Sequence, residues 1–106
     1  MSVCKKKKEL YAPIFEVGPK LYVYGKRALE IAQAADRAGE RYQVSVIFTA
    51  QYTDIRMIAD KTNHLMVFAQ HMDYLYPGRG VGAVLPEALK EAGAEGVLLN
   101  HSECPM

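Results

Sequence analysis

Short apolar runs alternate with longer stretches in which apolar residues return every three or four positions. The runs Ala12 to Val17, Val44 to Thr49, Met66 to Gln70 and Gly96 to Asn100 are each expected to form a β-strand. Between the first two, Gly25 to Tyr42 places Ala28, Ile31, Ala35, Ala38 and Tyr42 on one stripe, with Lys26, Glu30, Gln33 and Arg37 largely elsewhere. That is the pattern of an amphipathic helix. A second helix is expected over Thr53 to Lys61, where Ile55, Ile58 and Ala59 repeat the spacing and Thr53 or Asp54 is placed to cap the first turn. A third starts at Pro86, whose fixed φ suits the first helical position. It carries Glu87 near the positive helix end and stops at Gly93, which is free to turn left-handed.

Strands joined by crossover helices are parallel and right-handed, so this order predicts an α/β fold of the form β1-α1-β2-α2-β3-α3-β4 with neighbouring strands in succession. Such a parallel (βα) repeat is half of an eight-stranded barrel or a small open sheet. The first strand is not followed by Gly-x-Gly-x-x-Gly, which counts against dinucleotide binding. Residues 1–11 read as a basic N-terminal tail and residues 12–106 as one partial domain.

Composition narrows the partner. Half of the 106 residues are apolar and 24% are charged, which is ordinary for a globular domain. With 13 basic and 12 acidic residues the net charge is +1, so no broad field attracts nucleic acid or an anionic membrane, and a small molecule is the expected partner. No apolar run is long enough to cross a bilayer, and no secretory h-region follows the lysines at 5 to 8. An acylated Cys4 beside those lysines would touch a membrane surface, but a solvated tail accounts for them more simply. Cys4 and Cys104 have no paired spacing, which suggests reduced thiols in a cytoplasm.

Loops that follow parallel strands carry function in barrels. They hold Gly18 and Lys20 after the first strand, Gln51 after the second, and Gln70, His71 and Asp73 after the third. Asn100, His101, Ser102 and Glu103 follow the fourth. His71 with Asp73 and His101 with Glu103 have ligand chemistry but no distinctive metal spacing, so neither a metal nor a cofactor is expected. The Gly-rich stretch Tyr76 to Gly82 reads as a long loop needing unusual backbone angles, with anion wrapping around Arg79 as the alternative. No nucleophile elbow surrounds a Ser or Cys, and Cys104 reads as a bystander thiol. Tyr22, Tyr24, Tyr42, Tyr52, Tyr74 and Tyr76 read as packing residues with a wet hydroxyl.

Several motifs, in one order, resemble archaeal-type triose-phosphate isomerase. They are Gly25-Lys26-Arg27-Ala28-Leu29-Glu30-Ile31-Ala32, Asp54-Ile55-Arg56-Met57-Ile58-Ala59 and Val67-Phe68-Ala69-Gln70-His71-Met72-Asp73. The likeness continues through Pro77-Gly78, Val84 to Ala94, and Leu98-Leu99-Asn100-His101-Ser102-Glu103, and so covers nearly all of residues 12 to 103. It implies the front half of a TIM (β/α)8 barrel and the interconversion of dihydroxyacetone phosphate and glyceraldehyde 3-phosphate through an enediolate. By that resemblance His101 is the electrophile that polarises the carbonyl, Lys20 is the cation beside the substrate oxygens, and Glu103 is the supporting carboxylate.

Three departures qualify what the resemblance implies. Gly18 stands where the family has an Asn, Val81 stands where it has a Thr that reaches across a subunit contact, and no counterpart of the base Glu or of the later phosphate loops occurs. These 106 residues alone are therefore expected to be inactive and, with open strand edges, to form a homo-oligomer or to fold poorly. Two alternatives stand beside the isomerase: a parent enzyme in which Gly18 admits a longer sugar phosphate, and a non-catalytic half barrel that serves as a binding or interaction module.

Overall fold

The computed structural model describes residues 8–105, so Cys4, the lysines at 5 to 7 and Met106 lie outside it. The strands are β1 (Ile14–Val17), β2 (Ser45–Ala50), β3 (Met66–Ala69) and β4 (Gly96–Val97). Between them run α1 (Gly25–Tyr42), a 3-10 turn over Tyr52–Asp54 leading into α2 (Ile55–Asp60), and α3 (Pro86–Ala92). The strands form one sheet in the order β1-β2-β3-β4, every pair parallel, as the alternation predicts.

Strand boundaries shift where the backbone cannot pair. The first strand begins at Ile14 rather than Ala12, after Pro13, which has no N–H to donate. The last has only two paired residues instead of five, although the Leu98 N–H still donates to the Ala69 carbonyl at 2.9 Å.

In a parallel ladder, partners in register share a face. Phe48 and Val67 are paired, as are Ala50 and Ala69, and all four join the buried core with Ala28, Ala32, Ile55 and Ile58 from the helices. Phe48, Ile55, Ile58 and Leu65 are fully buried, and each such side chain contributes about 1.5–3 kcal/mol. The opposite face, carrying Ile14, Glu16, Ile47, Thr49, Phe68 and Gly96, is turned away from the helices. Gly96 is flattened under the ring of Phe68, which a Cβ there would meet at 2.5 Å.

Helix α1 has the predicted bounds, and Ala28, Ile31 and Ala35 of the predicted stripe face the core, but the stripe drifts toward the C-terminal end. Its buried positions are Ala28, Ala32, Asp36 and Gly39, whereas Ala38 and Tyr42 are exposed. Two polar or small residues explain the drift. The buried Asp36 carboxylate accepts backbone N–H bonds from Asn63, His64 and Leu65 at 3.0, 2.6 and 2.8 Å, anchoring the chain that enters β3. Gly39 lets the helix touch β2, because a Cβ there would lie 2.6 Å from Val46 and 3.2 Å from the Val44 carbonyl.

The predicted capping of the second helix is also corrected. Asp54 stands at the cap position of α2 but makes no side-chain bond there, and both its carboxylate oxygens instead accept the Gly25 N–H at 3.1 Å, at the first residue of α1. Asp54 is buried between the helices and serves its neighbour. Helix α3 follows expectation, with Pro86 at its start, Glu87 in the first turn and Gly93 at φ 117 closing it.

The six tyrosines expected to pack, of the seven in the sequence, are instead exposed. Their exposure ranges from 60% at Tyr52 to 84% at Tyr22, because they sit on loops and helix ends rather than on the buried stripes.

Candidate functional site

The loops after the strands gather at one rim of the sheet, and Lys20, His101 and Glu103, the three residues given roles by resemblance, meet there. The Lys20 ammonium donates to Glu103 Oε1 at 2.8 Å, joining positions 83 residues apart. Glu103 in turn donates its backbone N–H to His101 Nδ1 at 3.0 Å. A donor facing Nδ1 selects the tautomer with its proton on Nε2, which leaves Nε2–H as the outward donor.

Backbone geometry holds this group open. Lys20 and Asn100 both adopt positive φ, 53 and 56, although neither is glycine. Such conformations cost free energy and persist only where the surroundings enforce them. At Lys20 the enforcement is visible, since Gln70 Nε2 donates to the Lys20 carbonyl at 2.8 Å and to the Thr49 carbonyl at 3.3 Å. One amide therefore ties the loop after β1 to the end of β2. At the fourth strand, the Cys104 N–H donates to the His101 carbonyl at 2.8 Å and closes a turn that carries Glu103.

Charge follows contact. The hydrogen bond from Lys20, helped by its charge and by His101, holds the Glu103 carboxyl below the usual range, against a smaller opposing push from desolvation. The same bond, then the Glu103 charge, holds the Lys20 ammonium above the usual lysine range. Both side chains are about half exposed, so solvent screens the pair, which fixes position more than it stabilises the fold.

Gly18 stands beside a residue that sequence reasoning passed over. A Cβ at Gly18 would lie 2.6 Å from Glu16 Oε2, so the Glu16 side chain occupies the space over the glycine. The Thr49 hydroxyl donates to the same oxygen at 2.8 Å. In the sequence Glu16 is only an acidic residue within an apolar strand, two positions before Gly18; its place on the helix-free face comes from the strand register.

The second His group separates from the first. His71 Nε2 bonds Asp73 Oδ1 at 2.9 Å, while Asp73 Oδ2 accepts the Val84 N–H at 2.8 Å. Chiefly that backbone bond, then the bond to His71, holds the Asp73 carboxyl below the usual range. Cys104 Sγ lies 3.6 Å from His71 Nδ1, so the thiol read as a bystander has a partner. Among the described residues no three His, Cys, Asp or Glu side chains gather to hold a metal. A cleft of about 800 Å³ lies between α2 and α3 on the helical side, lined by Arg56, Leu89 and Glu91, and includes none of Lys20, His71 or His101.

Comparison with known proteins gives a consistent picture. The family description "Triosephosphate isomerase" matches residues 17–106. The triosephosphate isomerase of Methanocaldococcus jannaschii is 42% identical over 79 residues, covering 74% of this chain and 36% of that enzyme. That of Sulfolobus acidocaldarius is 40% identical over 93 residues, 86% of this chain and 40% of the enzyme. The chain therefore spans about two fifths of the length of the relatives it matches. The crystal structure of a Bartonella henselae triosephosphate isomerase superposes with TM-score 0.74 at 22% identity, over 88% of this chain and 39% of that one, which shows the barrel-type fold.

Proposed function

Because the chain belongs to the triosephosphate isomerase family, we propose that it forms the first part of an aldose–ketose isomerase site for a small phosphorylated sugar. The observation that carries this reading is the joined group Lys20, Glu103 and His101, assembled from opposite ends of the sheet. In the interconversion of dihydroxyacetone phosphate and glyceraldehyde 3-phosphate, a proton moves between adjacent carbons while negative charge builds on oxygen. His101 Nε2–H donates to that oxygen, and the Lys20 ammonium, held by Glu103, lowers the energy of the developing charge. The base and the later phosphate loops have no counterpart in these residues, so turnover requires the further strands of a barrel.

The test is the protein isolated from its native source, with its intact mass and isomerase activity measured together. His101→Gln or Lys20→Met in an active barrel is expected to lower kcat by about 10²–10³-fold, as removal of an oxyanion donor does elsewhere. Unchanged kcat in both variants would refute the assignment.

A longer sugar phosphate is the second reading, and Glu16 favours it. The Glu16 side chain takes the space that the bare Gly18 leaves, so a longer substrate would be met there by a carboxylate, which accepts hydrogen bonds from sugar hydroxyls while repelling phosphate. The hydroxyl end of the substrate then lies toward β1. Comparing kcat/KM for triose and tetrose phosphates decides between the two: preference for the longer substrate, lost in Glu16→Ala, supports this reading, and equal or better use of triose phosphate ends it.

Balanced charge supports a small-molecule partner without nucleic acid, and no helix among the described residues is long and apolar enough to cross a membrane. A cytoplasmic, homo-oligomeric protein fits two cysteines without paired spacing and a sheet with open edges. Residues 12–106 serve as the partial barrel domain and 1–11 as its lead, although Lys8 and Tyr11 already bond to Leu65 and Ser45.

A further inference from the structure

We propose that Cys104 is a modification site, a thiol activated by His71 and Asp73 that exchanges with small disulfides. Three side chains from two loops stand in the order nucleophile, base, orienter. Cys104 Sγ is 3.6 Å from His71 Nδ1, and His71 Nε2 is 2.9 Å from Asp73 Oδ1. This is the arrangement by which an imidazole takes a thiol proton, with the third group fixing the ring.

Each member is held from outside the trio. The Val84 N–H donates to Asp73 Oδ2 at 2.8 Å, and the Asp73 N–H donates to the Val84 carbonyl at 2.8 Å, so the carboxylate cannot turn away. With Asp73 as an anion, the ring proton stays on Nε2 and the Nδ1 lone pair faces sulfur. Cys104 is fixed by its own N–H on the His101 carbonyl, and its sulfur is exposed to a reagent. A buried, unpartnered cysteine would have none of these features.

In the reaction the Cys104 S–H gives its proton to His71 Nδ1. The resulting thiolate attacks one sulfur of a small disulfide, forming a new S–S bond as the old one breaks, and the other half leaves as a thiolate. The attached group then sits one residue from Glu103, the carboxylate that holds Lys20. The reactivity itself is independent of the substrate the site takes.

The probe is 5,5′-dithiobis(2-nitrobenzoate), used on the full chain carrying Cys4→Ser so that Cys104 alone reports. The thiol in native buffer is expected to react about tenfold faster than the same thiol in urea at neutral pH, where free Cys is only a few per cent thiolate. His71→Ala is expected to bring the native rate down to the urea rate, and Asp73→Asn to leave it between the two. His71 is exposed enough for its removal to spare the core, and far-UV circular dichroism of each variant separates lost activation from lost fold. A native rate no faster than in urea, or a folded His71→Ala variant as reactive as its parent, would overturn the proposal.

Discussion

A carboxylate on the buried side of an amphipathic helix is costly unless it is saturated with donors, and Asp36 is saturated by three consecutive backbone N–H groups. In Asp36→Ala all three donors lose their partner, but only the Leu65 N–H is buried, and a buried unsatisfied group costs about 1–3 kcal/mol. A loss of about 1–3 kcal/mol in urea denaturation is therefore expected, a sizeable share of the about 5–15 kcal/mol typical of a domain. The Lys20–Glu103 pair behaves differently because water reaches it. Glu103 titrates below its unfolded range, so the stability it contributes is complete above that range and is lost as pH falls through its lowered folded value. Lys20 titrates above its unfolded range, so its part is complete below that range and is lost as pH rises through the folded value. Carboxyl NMR of Glu103 is expected to show the depressed titration, and Lys20→Met to restore an ordinary one. Lys20, His101 and Glu103 were legible because they follow strands in a repeat whose loops all open on one side. Glu16 and Asp36 were not, since a polar residue within an apolar pattern reads as solvent-facing until its partners, more than 25 positions away, are known.

Elements with strong local signals behaved as their residues dictate. The Pro86 start and Gly93 stop of α3 are set by φ preferences that need no neighbour, and α1 kept its bounds because its period runs through 18 residues. The facing of α1 was not local. Ile31 and Ala35 pack against the core as their hydropathy suggests, yet the most buried positions include small Gly39, which meets β2, and Asp36, which holds the chain entering β3. Gly39→Ala is expected to destabilise by about 1–3 kcal/mol, since the new methyl meets Val46 and a backbone carbonyl that cannot move aside. Differential scanning calorimetry of the variant measures it. Asp54→Ala is expected to cost about 1 kcal/mol or more as a lost cap, and to raise the hydrogen-exchange rate of the Gly25 amide selectively.

At the scale of the whole molecule, four parallel strands leave, among the described residues, two unpaired edges and one sheet face without helices. Ile14 and Phe15 on the edge strand β1 are about half exposed, at 48% and 57%. Light scattering during size-exclusion chromatography is expected to give a concentration-dependent mass above that of the single chain, because such edges pair with any available strand. A mass that stays monomeric at all concentrations would count against the homo-oligomer. The topology was readable from the βα alternation, but the extent of each edge was not: β4 pairs through only two residues, set by where β3 ends rather than by its own apolar run. The cap on α1 also bears on how the molecule comes into being. Asp54 lies 29 positions after the amide it holds, so during synthesis the first helix leaves the ribosome with that donor open and is sealed only when the second βα unit follows it out. The repeat is thus laced from one unit to the next, and its first unit cannot be transplanted alone without leaving its closing residue behind.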